Sequence, residues 1–275
     1  MCAATLRLAD GQVRCAAGHG YDLGRGGYLN LRTGRARRIT GDGAEMVAAR
    51  EAFLGAGHYR PLTDRLGELA AASSGDQPAP TVLEIGAGTG QHLAGVLAAL
   101  PAGAGGIAVD VSRHALRRAA RAHPRIGAVG FDAAAAWPVA DHSVHVLLDV
   151  FAPRHPAEMH RVLHPAGTLL VVTPAPGHLA ELRGPLGLVG IQPDKGERLD
   201  ERIASRFEPE TTECLDVPLA LSVAQTVDLA MMGPTGHHLA PDDLRARAEA
   251  RWAAGQVSAT ACFQVRRYRP IRVAP

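Results

Sequence analysis

Lysine is nearly absent from this 275-residue chain: of its 29 basic residues only Lys195 is a lysine. With 27 acidic residues the formal charge is +2. The pI near 8.5 stays below the roughly 9 that marks a basic nucleic-acid domain. Aromatic residues make up 4%, so any nucleic-acid binding would rest on arginine and shape rather than on stacked rings. Arginine suits bidentate phosphate recognition, although a GC-rich genome would enrich it equally. Four cysteines are too few for a disulfide scaffold. No run approaches the roughly 18 apolar residues of a membrane span. The opening MCAATLRLAD shows no basic stretch followed by an apolar block, the mark of a secretory leader. What is present, 47% hydrophobic and 20% charged residues, is an ordinary globular mixture. The expectation is a soluble, cytoplasmic chain of one large or two modest domains.

Texture divides the chain at residues 40 and 80. Residues 1–40 are short and broken, rich in glycine and without a helical period. Residues 41–80 hold a helical stretch, 42–70, in which Met46, Val47, Arg50, Phe53 and Leu54 follow a 3–4 spacing after Asp42, a plausible cap. Ser, Gly and Pro in 71–80 predict a linker. From 81 onward strands alternate with helices: strands at 81–86, 106–111, 126–131, 144–150 and 167–174, helices at 90–100, 114–123, 155–163 and 177–183. Two strand-like segments, 214–222 and 257–268, joined through helices at 224–232 and 242–253, suit a hairpin-like pair closing one edge. Such alternation predicts an α/β fold with a doubly wound parallel sheet over 81–275.

The sharpest motif is VLEIGAGTGQHL. An apolar strand runs into Gly86, Gly88 and Gly90, whose bare backbone permits a tight turn and close approach of a ligand. Gln91 stands where the dinucleotide fingerprint G-x-G-x-x-G requires its last glycine. Asp110 ends the next strand, where a carboxylate can accept hydrogen bonds from both ribose hydroxyls of a nucleoside. Asp132 follows the third strand, the place for a side chain facing an adenine amino group. Each aspartate alone also reads as a solvated strand end. Together with the glycine turn they converge at the carboxyl edge of the sheet, where open α/β folds bind ligands.

This arrangement, over residues 81–175, resembles the class I S-adenosylmethionine-dependent methyltransferases, and implies Glu84 near the methionine end of the donor. Further segments, CAAGHGYDLGRGGYLNL, DGAEMVAAREAFLGAGHYRPL, LLDVFAPRHPAEMHRVLHPAG and TPAPGHLAELRG, resemble the RlmA/TlrB-type large-subunit ribosomal RNA guanine-N1 methyltransferases. That family includes macrolide-resistance enzymes of antibiotic producers, and its members often pair as homodimers. The resemblance implies a small N-terminal zinc-ribbon-like module ahead of the methyltransferase domain. It also places Tyr59 near the methionine portion, with His58 and Pro61 shaping the loop. Tyr59 also reads as a helix-terminal aromatic packing on the sheet.

The family's zinc module opens with C-x-x-C, of which Cys2 matches the second cysteine. Cys2, Cys15 and His19 remain as ligands, one fewer than a structural site usually takes. An upstream start, a three-ligand site and lost metal binding all fit this pattern. Cys214 and Cys262 read as small core residues. Asp149 is the candidate general base for the N1 proton of guanine, or else caps the following helix or holds a backbone amide, with Phe151 and Pro153 walling the acceptor pocket. Arg25, Arg32, Arg35, Arg37 and Arg38 form a basic run suited to RNA phosphates. Arg266, Arg267, Arg269 and Arg272 read as a solvated face. The leading expectation is therefore methylation of guanine N1 in a hairpin of large-subunit ribosomal RNA, protecting against macrolides. Two rivals keep the donor site: an enzyme methylating a small molecule in antibiotic biosynthesis, and a non-catalytic protein that binds S-adenosylmethionine.

Overall fold

A computed structural model of the chain describes residues 4–9, 11–32, 39–189, 201–253 and 255–271. Strand β5 (Thr81–Ile85) lies at the centre of the sheet, parallel to β6 (Gly105–Asp110) on one side and β8 (Val144–Val150) on the other. Beyond β6 comes β7 (Ile126–Gly130), and beyond β8 comes β9 (Leu163–Pro174). The chain thus winds outward from β5 in both directions, placing a topological switch point at the β5–β8 boundary. Ligands of open α/β sheets bind outside the carboxyl ends of strands at such a point.

The expected closing pair forms as β10 (Phe207–Leu221) and β11 (Val257–Pro270). They are antiparallel, with β11 inserted between β9 and β10. Both run longer than the sequence pattern indicates, because their outer portions alternate weakly. Residues on one face of β10, from Val217 through Leu219 to Leu221, are buried, while Cys214 is exposed and Cys262 only half-buried. The two cysteines therefore stand on the outer face of this pair, not in the core. Arg266 is buried and donates to Thr173 Oγ1 at 3.0 Å. Arg267 and Arg269 pair with Glu210. Instead of a solvated basic face, these arginines are packed or neutralised; Arg272 lies outside the described residues.

At the other edge the glycine-rich start forms β1 (Leu6–Ala9), β2 (Gln12–Cys15), β3 (Gly20–Gly24) and β4 (Tyr28–Asn30), an antiparallel meander. Strand β4 then pairs parallel with β7, Leu29 opposite Val129. This segment is hydrogen-bonded into the main sheet.

The helical stretch is two helices, α1 (Ala44–Gly55) and α2 (Arg60–Ser74). Gly57, at φ +84°, ends the first, and Pro61 sits in the opening turn of the second, where its missing N–H costs nothing. Gly43, not Asp42, is the cap residue of α1, without a side-chain bond. The expected linker begins later than predicted, because α2 continues through Ser73 and Ser74, whose hydroxyls donate to the carbonyls of Leu69 and Ala70. Helices α3 (Gln91–Ala98), α4 (Arg113–Ala122), α5 (Pro156–Val162) and α6 (Ala180–Leu186) follow their strands. Helices α7 (Val223–Met231) and α8 (Pro241–Trp252) connect β10 to β11.

Alternate residues of the central strands feed two apolar layers. Val82, Val146 and Leu148 join the layer built with α1, α2, α3 and α7, and Leu83, Leu147 and Ile85 join the one built with α5. The period of two places Glu84 on the side of the first layer. No helix among the described residues is long and apolar enough to cross a membrane.

Candidate active site

The turn after β5 is held open by backbone that L side chains rarely adopt: Gly86, Gly88 and Gly90 have φ of +65°, +55° and +76°. A Cβ on Gly86 would lie 2.8 Å from Ala152 Cβ, and one on Gly88 2.9 Å from Arg50 Cδ. Glycine is needed here both for conformation and for space. Asp110 fastens this turn. Its Oδ2 accepts from the Gly88 amide at 2.9 Å and its Oδ1 from the Ser112 amide at 2.8 Å. Burial pushes the Asp110 carboxyl upward, and the two amides oppose that shift. Each oxygen keeps a second lone pair, so both remain able to accept hydroxyl protons.

Beside the turn is a cleft lined by Arg50, Leu54, Tyr59, Glu84, Gly86, Ala87, His92, Val150, Phe151 and Met232. Glu84 is buried, and its Oε2 accepts from the Leu93 amide at 3.2 Å. Burial pushes its carboxyl up to about 8, and the charges of Asp110 and Asp149 add to the effect. A carboxyl so placed is stabilised in its ionised form by an arriving cation. Tyr59, buried and edge-on to Phe53 at 5.1 Å and Phe263 at 4.9 Å, packs on the sheet and also lines the cleft. His58 lies tilted against Phe53, with ring centroids 4.7 Å apart and planes at 33°, and Pro61 is exposed.

Arg50 is the residue that sequence pattern missed. It reads as a polar position on the face of α1. In the fold its guanidinium crosses the glycine turn, where Nη2 donates to Asp42 Oδ2 at 3.0 Å and to the Met232 carbonyl at 2.6 Å. Its Nε is buried and has no partner. Among the described residues Arg50 is the one arginine lining the cleft, and its charge acts on Tyr59, Glu84, His92 and Asp110. His92 Nδ1 lies 2.7 Å from Thr63 Oγ1, and burial pushes its imidazole down to about 4, so the ring is neutral. Only tertiary packing, which brings α1 and the end of α7 against the turn, reveals Arg50 and Met232.

At the far wall Phe151 is 44% exposed and has φ +58°. A bulky residue in the left-handed region stores strain, and such strain clusters at functional sites. The turn is fixed from beneath by Asp149, whose Oδ1 accepts from the Ala152 amide at 3.3 Å and lies 3.2 Å from Arg154 Nη2. Asp149 is fully buried, its Oδ2 has no partner, and burial pushes its carboxyl up to about 7 against the pull of Arg154. It does not line the cleft; its neighbours Val150 and Phe151 do. Pro153 is exposed beyond them. Asp132 Oδ1 accepts from the Ala134 amide at 2.9 Å, a local turn just past β7.

The remaining predicted residues lie at the β1–β4 edge. Cys15 Sγ is 3.3 Å from His19 Nδ1, while Cys2 is outside the described residues. Among the described residues no group of three or more His, Cys, Asp or Glu is placed to hold a metal ion. Two donors do not make the tetrahedral set of a structural zinc site. Arg25 is exposed; Arg32 is half-buried, with Nη1 3.4 Å from the Val111 carbonyl. Arg35, Arg37 and Arg38 lie outside the described residues.

Comparison with known proteins sets this geometry in context. No family model matches the chain. The chain is 45% identical, over 98% of its length and 96% of the relative's, to a protein of Micromonospora griseorubida with the provisional name 23S rRNA (guanine-N(1)-)-methyltransferase. It is 42% identical, over 98% and 95%, to the 23S rRNA (guanine(748)-N(1))-methyltransferase of Streptomyces fradiae. Among solved structures, a provisionally named methyltransferase of Bacillus halodurans C-125 aligns with a TM-score of 0.51 and 16% identity, covering 75% of this chain and 97% of that one. At that identity the likeness concerns the fold.

Proposed function

The chain belongs to the 23S rRNA (guanine-N(1)-)-methyltransferase family, and from that premise we propose that it methylates N1 of a guanine in large-subunit ribosomal RNA, with S-adenosylmethionine as donor. The observation that carries the reading is the cleft itself. A bare glycine turn and the buried Glu84 form one wall, and the strained, exposed Phe151 forms the other.

The residues divide the work. Asp110 accepts from the ribose hydroxyls, and Asp132 faces the adenine. Glu84 holds the donor's ammonium, a cation that favours its ionised form. Phe151 offers its ring to the acceptor base at the cleft rim, where an unstacked guanine can lie against it. In the reaction the S–CH3 bond breaks as the N1–CH3 bond forms, the bond electrons stay on sulfur to leave S-adenosylhomocysteine, and the N1 proton passes to solvent water at the open rim of the cleft. Alignment supplies much of the rate in such an in-line displacement. Asp149 is a positioning residue: it lies under the Phe151 turn, and its Oδ1 is occupied by the Ala152 amide and Arg154. The general-base role expected from sequence is the alternative to this one.

Arg50 recognises the donor's carboxylate. It lines the cleft beside Glu84, and its buried Nε has no partner. Charge-assisted hydrogen bonds contribute about 1.5–3 kcal/mol, roughly ten- to a hundredfold in affinity. Arg50→Met is expected to weaken S-adenosylhomocysteine by that factor while leaving 5′-methylthioadenosine, which lacks the amino-acid group, unchanged. Calorimetry with both ligands checks this, and equal weakening of the two would assign Arg50 to the scaffold alone.

Incubation with labelled donor and either ribosomal RNA or a small-molecule extract tests the function. Label is expected in RNA. Label in the extract supports a small-molecule acceptor, and label in neither supports a binding protein.

A further inference from the structure

The α4 helix, RHALRRAARA, carries Arg113, Arg117 and Arg121 at intervals of four and no acidic residue. Four residues rise about 6 Å along a helix, and the spacing keeps the three on one stripe. Arg113 and Arg121 are exposed and Arg117 is partly so. Several arginines elsewhere pair with carboxylates: Arg65 with Glu68 and Glu213, Arg161 with Glu158 and Asp141, Arg267 with Glu210. On α4 itself Arg118 pairs with Glu51. Among the described residues no carboxylate pairs with Arg113, Arg117 or Arg121. The crowding of positive charge is felt locally, since burial and then Arg113, Arg117 and Arg118 hold the His114 imidazole below its usual value.

The stripe continues into the β1–β4 edge. Arg117 Nε donates to the Arg25 carbonyl at 3.2 Å, joining α4 to the β3–β4 turn. The α4 stripe begins three residues beyond Asp110, at the same edge as the proposed donor site.

We propose that α4 forms a surface that grips the phosphate backbone of the RNA substrate, through Arg113, Arg117 and Arg121. This rests on the RNA reading given above and goes beyond it by naming where the RNA is held. The surface supplies affinity and orientation, while the cleft supplies the chemistry.

The test is a triple variant, Arg113→Gln, Arg117→Gln and Arg121→Gln, compared with the unaltered chain for binding to a large-subunit ribosomal RNA transcript across a salt series. Affinity at about 150 mM salt is expected to fall tenfold or more. The slope of log affinity against log salt should drop by about 2, the effect of three lost phosphate contacts at roughly 0.7 each for single-stranded RNA. Uptake of S-adenosylhomocysteine and turnover at saturating RNA should be unchanged, which excludes misfolding. An unaltered chain that methylates RNA beside a triple variant of equal affinity and salt slope overturns this surface alone. Failure of the unaltered chain to bind or methylate RNA overturns the functional reading and this one with it.

Discussion

Gly86→Ala is expected to abolish measurable uptake of S-adenosylhomocysteine. Two effects act together. An alanine at φ +65° costs about 1–2 kcal/mol of backbone energy. Its Cβ would also meet Ala152 Cβ at 2.8 Å, closer than such atoms come. Relief requires either the glycine turn or the Ala152 turn to move, and both are walls of the cleft. Donor affinity should fall more than a hundredfold, read by calorimetry. Gly11→Ala separates strain from collision. Gly11 has φ +74° with nothing within 4 Å of the added Cβ, and it lies far along the sheet from the cleft. That variant should lose about 1–2 kcal/mol of stability and retain full donor affinity. Equal loss of donor binding in both variants would detach the glycine turn from the donor site.

Asp149 gives the second large effect and decides between two roles. Asp149→Ala leaves the Ala152 amide without its acceptor and Arg154 without its carboxylate in a buried place. The cost is on the order of 3 kcal/mol, seen in denaturant unfolding, and the released Phe151 turn should raise the KM for RNA. Asp149→Asn keeps an oxygen for the amide. If Asp149 positions Phe151, this variant retains turnover within about tenfold. A general base would instead lose about 10²–10⁴-fold, and that result would restore Asp149 to the chemistry. The pH dependence adds a sign. A carboxyl raised to about 7 by burial contributes stability that is present below the ordinary carboxylate range and is lost as pH rises through 7. Asp149→Asn removes that loss, so its stability relative to the unaltered chain should improve between pH 5 and 8.

Much of the fold was legible because the central strands are apolar, short and bounded by turn residues. VLEIG and VHVLLDV are buried on both faces, and this continuous pattern marks parallel strands. Boundaries slipped where a local signal competed with packing. Asp42 resembles a helix cap, yet its carboxylate is taken by Arg50 and lies 3.5 Å from His237. The sequence 71–80 looks like a linker because of its Ser, Gly and Pro, but serine hydroxyls can bond back to the preceding turn and let the helix continue. The front segment hid its strands because its glycines, required at positive φ in tight turns, break any visible alternation.

The site divides similarly. Gly86, Gly88, Glu84 and Asp110 were legible because one strand–turn–helix unit and the tip of the adjacent strand carry them. Phe151 reads from sequence as an aromatic beside a pocket, but its strained backbone is a property of the folded turn. Arg50 and Met232 are 182 positions apart, and nothing in either local pattern announces that they meet over the glycine turn. Cys214 and Cys262 misled for the opposite reason. Their apolar neighbours face inward along β10 and β11, and the period of two turns the cysteines outward.

Transfer of a methyl group to N1 of a guanine in large-subunit ribosomal RNA leaves a mark that copying the RNA reveals. A methyl at N1 blocks the base-pairing edge, so reverse transcriptase copying the treated RNA halts there. Primer extension after incubation with protein and donor should show one new stop beside a single guanine. The stop should be absent without donor and absent with Gly86→Ala protein. Read-through of the whole transcript by protein that demonstrably takes up S-adenosylhomocysteine would contradict the account.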